Sequence, residues 1–340
     1  MARFRVVLTD TVAADYDLEE QRFQQGGLDV ERVYLRTHDA EEIVAQAATA
    51  DALIISWVPI TREVLRRLPR CLVIVRYGIG VDMIDLDAAT EEGIVVCNTA
   101  RYAIDEVSTH AITLLLTLNR GILADAERLR SGGWSGSGAV PPRRLSGQRL
   151  GLVGVGNIGR AVAGKAVGLG LQVMAFDPFI AVGTGELELV GLDELLRTSD
   201  FVSLHCPLNA ATRHLIGTRE LALMKPSAFL INTARGGIVD QAALTQAMAD
   251  RRIAGAGLDV FEQEPLPAND VLRRLDNVVL TPHSAHWSVE SAVECRLTAV
   301  EHVLTALRGG IPADVVNREV LSRANRRLRK VQAIRDRLAE

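Results

Sequence analysis

Three ionisable side chains stand at the ends of apolar runs in the second half of the chain. Arg235 closes "FLINTAR", Glu264 lies in "GLDVFEQEP", and His283 follows "VVLTP". A guanidinium grips a carboxylate in fork geometry. An imidazole titrates near neutrality, and a carboxylate beside it favours the protonated ring. His283 admits two readings: a ring packed at the end of a buried strand, or an acid–base group at the rim of a sheet, where loops carry chemistry. His286 stands three residues on, beside Trp287. Arg235 has a double, because "NTAR" occurs at 98–101 and again at 232–235, each time just after an apolar run.

A second chemistry is written in "GVGNIG". Gly154, Gly156 and Gly159 form a G-x-G-x-x-G pattern between the apolar run "RLGLV" and the helical "RAVAGKAVGLG". The first glycine permits a tight turn, the second lets backbone approach a pyrophosphate, and the third lets helix and strand pack closely. The helix N-terminus then offers N–H groups and a positive dipole to the phosphates. The next apolar run, "QVMAFD", ends in Asp177, 21 residues past Gly156. That is the place of the acid that binds the adenosine ribose hydroxyls. The same carboxylate repels a 2′-phosphate, at a cost of up to ~4 kcal/mol for charges about 4 Å apart. Pro178 and Phe179 follow, with no arginine to compensate. The cofactor expected is NAD rather than NADP.

The elements that must carry these residues alternate from end to end. "RVVLTD", "VYL", "ALIIS", "CLVIVRYG" and "IVVCNT" read as five strands with helical segments between them. One long helix is expected from Asp105, its N-cap, to about Arg130, ending at "SGGWSGSGAVPP". Six more strands follow: "RLGLVG", "QVMAFD", "FVSLHC", "AFLINTA", "AGAGLDV" and "VVLTP". Parallel α/β sheets bind ligands beyond the carboxyl ends of their strands, so Arg235, Glu264 and His283 are expected at one cleft. The fold class is therefore α/β with two doubly wound parallel-sheet domains. A discontinuous, flavodoxin-like substrate domain takes residues 1–101 and 286–321, a Rossmann NAD-binding domain takes 102–285, and a basic helical tail takes 322–340.

Bulk composition narrows the class. The chain has 340 residues, 48% hydrophobic, with a formal net charge of -4. No basic field points to nucleic acid. No apolar run is long enough for a membrane span, and "MARFRVVLTD" reads as a first strand rather than a leader. Cys71, Cys97, Cys206 and Cys295 are dispersed in apolar runs, a pattern of core thiols in a reducing cytoplasm with no metal site.

Taken together, "RYGIGVDMIDLDAATEEGI", "GVGNIGR", "HCPLNAATRHLI", "MKPSAFLINTARGGIVD", "GLDVFEQEP" and "LTPHSA" resemble the D-2-hydroxyacid dehydrogenases over roughly residues 3–320. The group includes phosphoglycerate, glycerate and D-lactate dehydrogenases and the NAD-binding corepressors. The resemblance makes Arg235, followed by its two glycines, the substrate anchor. It makes His283 the proton donor and Glu264 its partner. Beyond the glycine turn with Asn157 and Ile158, and Asp177, it implies cofactor contacts at Cys206, Pro207, Thr212, Thr233, Ala234, Asp259 and Ala285. It also implies a homodimer built on the helix after Asp105. The reaction implied is interconversion of a D-2-hydroxy acid and its 2-keto acid, or of a related small oxoanion. The rival is an NAD-sensing, corepressor-like scaffold.

Substrate contacts are expected from backbone N–H groups of the glycine loop Gly78, Ile79 and Gly80, with Arg76 adding charge. Trp57 either walls the pocket or packs in the core. His286 either reads the C3 side of the substrate or caps the helix that follows.

Overall fold

The computed structural model describes residues 3–10, 15–134, 141–180 and 187–322. The tail expected over 322–340 therefore lies outside the described residues except for Ser322, as does the centre of the Gly/Ser-rich loop at 135–140. The chain divides into two compact units. One is Met1–Tyr102 together with the chain from Ser288 onward, and the other is Ala103–Trp287. His286 and Trp287 thus fall in the second unit.

In the first unit, β1 (Phe4–Leu8), α1 (Asp17–Gln25), β2 (Val30–Tyr34), α2 (Ala40–Ala47) and β3 (Ala52–Ile55) lead into α3 (Arg62–Arg66), β4 (Val73–Arg76), α4 (Leu86–Glu91) and β5 (Val95–Cys97). The five strands pair in parallel in the order β2-β1-β3-β4-β5. β3, β4 and β5 are buried along their whole length, so their sequences run apolar instead of alternating. Three of these helices start where a side chain satisfies their first N–H groups. Asp39 caps α2, Thr61 caps α3 and Asp85 caps α4, each worth about 1 kcal/mol.

The second unit begins with α5 (Ile104–Arg120) and α6 (Ile122–Arg130). The sequence predicts one helix here, and the structure breaks it. Gly121 takes φ +62°, a left-handed conformation that ends α5 and re-aims the chain into α6. Asp105 is not the cap. It lies inside the first turn, 2.6 Å from the ammonium of Lys165. No residue of α6 is buried.

β6 (Arg149–Val153), α7 (Asn157–Gly168), β7 (Gln172–Phe176), β8 (Glu188–Leu189), α8 (Leu192–Thr198) and β9 (Phe201–Leu204) come next. α9 (Thr218–Leu223), β10 (Phe229–Asn232), α10 (Gln241–Ala249), β11 (Gly255–Leu258) and β12 (Val278–Leu280) complete the unit. The parallel sheet has the order β12-β11-β10-β9-β6-β7-β8. It has seven strands where the sequence predicts six, the extra one being the two-residue edge strand β8. The chain reverses its winding between β6 and β9, the switch point where such sheets open a ligand crevice. α11 (Val289–Leu307) and the short α12 (Glu319–Ser322) return to the first unit.

Both sheets are covered on two faces. α1 and α11 close one face of the first sheet, and α2, α3 and α4 the other. α8, α9 and α10 close one face of the second, and α5 and α7 the other. In the described residues no helix is long and apolar enough to cross a membrane.

Candidate active site

The glycine turn has the shape its spacing implies. Gly154 takes φ +95°, and a Cβ there would fall 2.7 Å from the backbone nitrogen of Cys206. A Cβ on Gly159 would fall 2.3 Å from the Gly154 carbonyl oxygen, so this glycine seats α7 against the turn. A Cβ on Gly156 would meet nothing within 4 Å, leaving open space at the helix start. No side chain caps α7, so its first-turn N–H groups, those of Asn157, Ile158 and Gly159, face outward for an anion. Asp177 stands just past β7. One carboxylate oxygen accepts from the Val155 N–H at 3.0 Å and the other from the Phe179 N–H at 3.0 Å.

Parallel strands in register bring the remaining site residues to one edge. Asn232, Leu258 and Leu280 are direct neighbours across β10, β11 and β12, so the segments after them, at 233–235, 259 and 281–283, emerge side by side. Nδ1 of His283 lies 2.6 Å from Oε2 of Glu264, whose Oε1 accepts from the Phe261 N–H at 2.9 Å. Burial alone would raise the Glu264 carboxyl. The His283 hydrogen bond and charge, the Phe261 N–H and the Arg235 guanidinium outweigh it and hold that carboxyl below its ordinary range. An ionised carboxylate only accepts, so Nδ1 of His283 carries a hydrogen and the exchangeable proton of the imidazolium is the one at Nε2. His283 itself takes φ +52°, an uncommon conformation that its backbone bonds to Asp259 and Thr281 maintain. The set can bind an anion and pass one proton to or from an oxygen beside it.

Arg235 follows β10 on a turn braced by Asn232. The Asn232 Nδ2 donates to the Arg235 carbonyl at 2.9 Å, and its Oδ1 accepts from the Ala234 N–H at 3.1 Å. The turn presses on the Glu264 segment, because a Cβ on Gly236 would fall 1.9 Å from the Phe261 carbonyl carbon.

The other expected cofactor positions divide. The Thr233 hydroxyl is buried, 7% exposed, with no hydrogen-bond partner among the described residues. An orphaned hydroxyl at the carboxyl end of β10 suits a bound polar group. Desolvation pushes the Cys206 thiol up to about 11, so it stays neutral. Thr212 spends its hydroxyl on the Pro207 carbonyl, at 2.6 Å, closing the turn 207–212. Asp259, only 1% exposed, holds the His283 loop. Its Oδ1 accepts from Thr281 and from the Ser284 N–H, and its Oδ2 from the Ala285 N–H at 3.0 Å. The Ala285 N–H is therefore already committed. Asp259 and Ala285 shape the His283 loop first. These features fit a dinucleotide at the carboxyl edge of β6 and β7, with Asn157, Ile158 and Gly159 able to hold its phosphates and Asp177 its ribose.

His286 sits with its ring edge-on to His283, centroids 6.0 Å apart. It does not cap the helix that follows: the N-cap of α11 is Ser288, in a reciprocal capping box with Ser291. Trp287 is exposed.

In the first unit the Gly78 N–H is not a free donor, since it bonds the Thr99 hydroxyl at 2.8 Å. The N–H groups of Ile79 and Gly80 have no acceptor among the described residues. Arg76 is 4% exposed, so its charge acts from beneath: its Nε donates to the Ser56 carbonyl, and its guanidinium lies 4.8 Å from the Trp57 ring centroid. Trp57 is 37% exposed, which removes the core-packing reading. Its backbone is held by Asp10, whose two oxygens take the Ser56 and Trp57 N–H groups.

The two "NTAR" copies now separate. In the first, Asn98 bonds the Ile79 carbonyl at 2.6 Å and Thr99 the Gly78 N–H, so it braces the glycine loop, and Arg101 is exposed. In the second, Asn232 braces the turn that presents Arg235. Asn232, Asp10, Thr281 and His110 escape a reading that looks only for reactive groups. The signal for them is a polar residue at a strand end, or inside an otherwise apolar helix face.

The family model for the NAD-binding domain of D-isomer specific 2-hydroxyacid dehydrogenases matches residues 112–285. A glyoxylate reductase of Korarchaeum cryptofilum is 39% identical over 288 residues, covering 82% of this chain and 86% of the relative. The chain belongs to the D-2-hydroxyacid dehydrogenase family. As a member of it, the protein is an oxidoreductase that interconverts 2-hydroxy and 2-keto acids with a nicotinamide cofactor. A glycerate dehydrogenase of Methylorubrum extorquens is 36% identical, covering 92% of this dehydrogenase and 98% of the relative. A solved NADPH-dependent glyoxylate/hydroxypyruvate reductase from Sinorhizobium meliloti, in complex with NADP and malonate, superposes with a TM-score of 0.83 at 28% identity, covering 93% and 97%. This 2-hydroxyacid dehydrogenase thus has relatives named for two- and three-carbon acids, at least one of them named as NADPH-dependent.

Proposed function

We propose that this dehydrogenase reduces a small 2-keto acid of the glyoxylate or hydroxypyruvate kind, preferring NADH. The observation that carries the reading is the hydrogen-bonded His283–Glu264 pair at 2.6 Å, next to the Arg235 turn. When bound, the dinucleotide supplies the hydride that adds to the carbonyl carbon. Arg235 grips the substrate carboxylate and polarises the neighbouring carbonyl. His283 gives its Nε2 proton to the carbonyl oxygen as charge builds there, while Nδ1–H stays with Glu264. In the reverse direction the same nitrogen takes the proton back. The carboxylate of Asp177 at the end of β7, with Pro178 and Phe179 after it, supports NADH over NADPH.

His286 is proposed to face the substrate's C3 side and tune which acid is accepted. Its ring, edge-on to His283, supports this. The exposed Ile122, Leu123 and Leu129 of α6, a helix with nothing buried, together with Trp134 at 92% exposure, support a homodimer in which a second copy covers this face. Light scattering on the pure protein measures that directly. Four cysteines that form no disulfide among the described residues support a reducing, cytoplasmic setting.

The test is NADH oxidation with glyoxylate, hydroxypyruvate, pyruvate and a dicarboxylic 2-keto acid, on the wild type and on His286→Ala. The expected result is turnover of the smallest acids and a changed ratio of kcat/KM between them in the variant, since discrimination is differential transition-state binding. Turnover of none of these acids would end the reading. A uniform drop across all of them in the variant would leave His286 a structural residue.

A further inference from the structure

We propose that His110, on α5, is a positioning residue for the acid–base histidine. The inference rests on the reading of His283 as proton donor. It follows from a hydrogen-bond chain that runs from a helix face to the His283 loop without touching a reacting atom.

The chain starts in packing. His110, Leu114 and Leu118 recur at four-residue spacing, so they share one face of α5. β11 carries "GAGL", and a Cβ on Gly257 would fall 3.0 Å from the Cβ of Leu114 and 3.2 Å from a methyl of Leu118. The missing side chain lets α5 lie close on the sheet. One turn towards the N-terminus, the same face delivers His110 over the ends of β11 and β12. There its Nε2 lies 2.9 Å from the Thr281 hydroxyl.

The direction of each bond is fixed by proton count. The Thr281 hydroxyl lies 2.6 Å from Oδ1 of Asp259. A carboxylate only accepts, so the single hydroxyl proton goes to Asp259. Thr281 can then only accept from His110, whose Nε2 must carry the hydrogen. His110 so locks the hydroxyl onto Asp259. The same carboxylate holds the Ser284 and Ala285 N–H groups, and the Asp259 carbonyl takes the His283 N–H at 2.8 Å. The His283 N–H bonds the Asp259 and Thr281 carbonyls, so the left-handed backbone there is anchored on the two residues that this chain of bonds joins. Removing the His110 donor frees the hydroxyl to turn, and a loop shift of the order of 1 Å costs about 10²-fold in rate.

The experiment compares His110→Phe, which removes the donor and keeps the bulk, with His110→Gln, whose amide N–H can reach Thr281. Thr281→Val and Thr281→Ser make the matching pair, and the double variant His110→Phe/Thr281→Val tests the chain. Steady-state kcat and keto-acid KM, NADH binding by fluorescence and Tm are measured for each. His110→Phe and Thr281→Val are expected to lose about 10- to 100-fold in kcat, with KM and NADH affinity within about threefold of wild type. His110→Gln and Thr281→Ser should recover most of the loss, and the double variant should be no worse than the poorer single one. Wild-type turnover in His110→Phe overturns the proposal, and so does a His110→Gln no better than His110→Phe at equal Tm. If Phe and Val variants fail to fold, the Gln and Ser variants decide alone: near-wild-type kcat supports the role, and loss equal to that of His283→Ala refutes it. His283→Ala is the control that separates the two readings. If it is inactive while His110→Phe is normal, only the positioning role falls. If it is active, the proton-donor reading falls and takes this one with it.

Discussion

Gly236 and Phe261 are closer than any residue with a side chain would allow: a Cβ on Gly236 would lie 1.9 Å from the Phe261 carbonyl carbon and 2.4 Å from the Glu262 nitrogen. One contact thereby sets the spacing between the turn of Arg235 and the segment of Glu264. Gly236→Ala must displace one backbone or the other, because no flexible side-chain end is available to yield. The expected cost is about 1–3 kcal/mol in stability and of the order of 10² in kcat/KM. Urea unfolding and steady-state kinetics measure the two, and a variant with wild-type kinetics would mean the spacing is not critical.

His283→Ala and Arg235→Ala should fail differently. Loss of the proposed proton donor should lower kcat by about 10²–10⁴-fold and leave keto-acid binding nearly intact. Loss of the guanidinium raises KM and lowers kcat together, since the fork serves ground state and transition state alike. Near-normal turnover in either variant would reassign that residue.

Cofactor choice should reside in Asp177. With the carboxylate held between the Val155 and Phe179 N–H groups, wild type is expected to favour NADH over NADPH by at least about tenfold in kcat/KM. Asp177→Ala should bring the ratio towards one. Equal use of both cofactors by the wild type would contradict the assignment.

His205 should make the protein acid-sensitive. Desolvation holds its imidazole down at about 4, while the unfolded chain titrates near 6.5. The unfolded state therefore binds the extra proton first. The stabilising contribution is complete above about pH 6.5 and is lost as pH falls towards 4. The full difference amounts to about 3 kcal/mol. His205→Gln should show a flatter fall in urea midpoint between pH 7 and 4.5 than the wild type. Parallel curves would place the acid sensitivity elsewhere.

What could be read from the chain follows a physical divide. The strands were legible because doubly buried parallel strands must be continuous apolar runs, and the glycine turn because only glycine fits Gly154 and Gly159. The break at Gly121 was not, since a glycine inside a helical pattern reads as a tolerated defect until its φ is known. Nor was β8, whose two residues carry no periodicity. At the site, reactive types announced themselves, whereas Asn232, Asp10 and His110 act by holding backbone or another side chain. Their partners lie as far as 171 residues away in sequence, a separation no local pattern spans. The same blindness let Gly78 pass for an open donor when Thr99 already occupies it.

Asp259 gives the loop after β12 a fixed address: three donors from Thr281, Ser284 and Ala285 converge on one buried carboxylate. For anyone re-engineering which acid is accepted, the segment 281–287 is consequently not an interchangeable cassette. A graft there must bring a hydroxyl at 281 and two correctly aimed amides, or leave a charge stranded without partners. The freedom for redesign lies in the side chains at 286 and 287, which can vary while the three tethers stay in place.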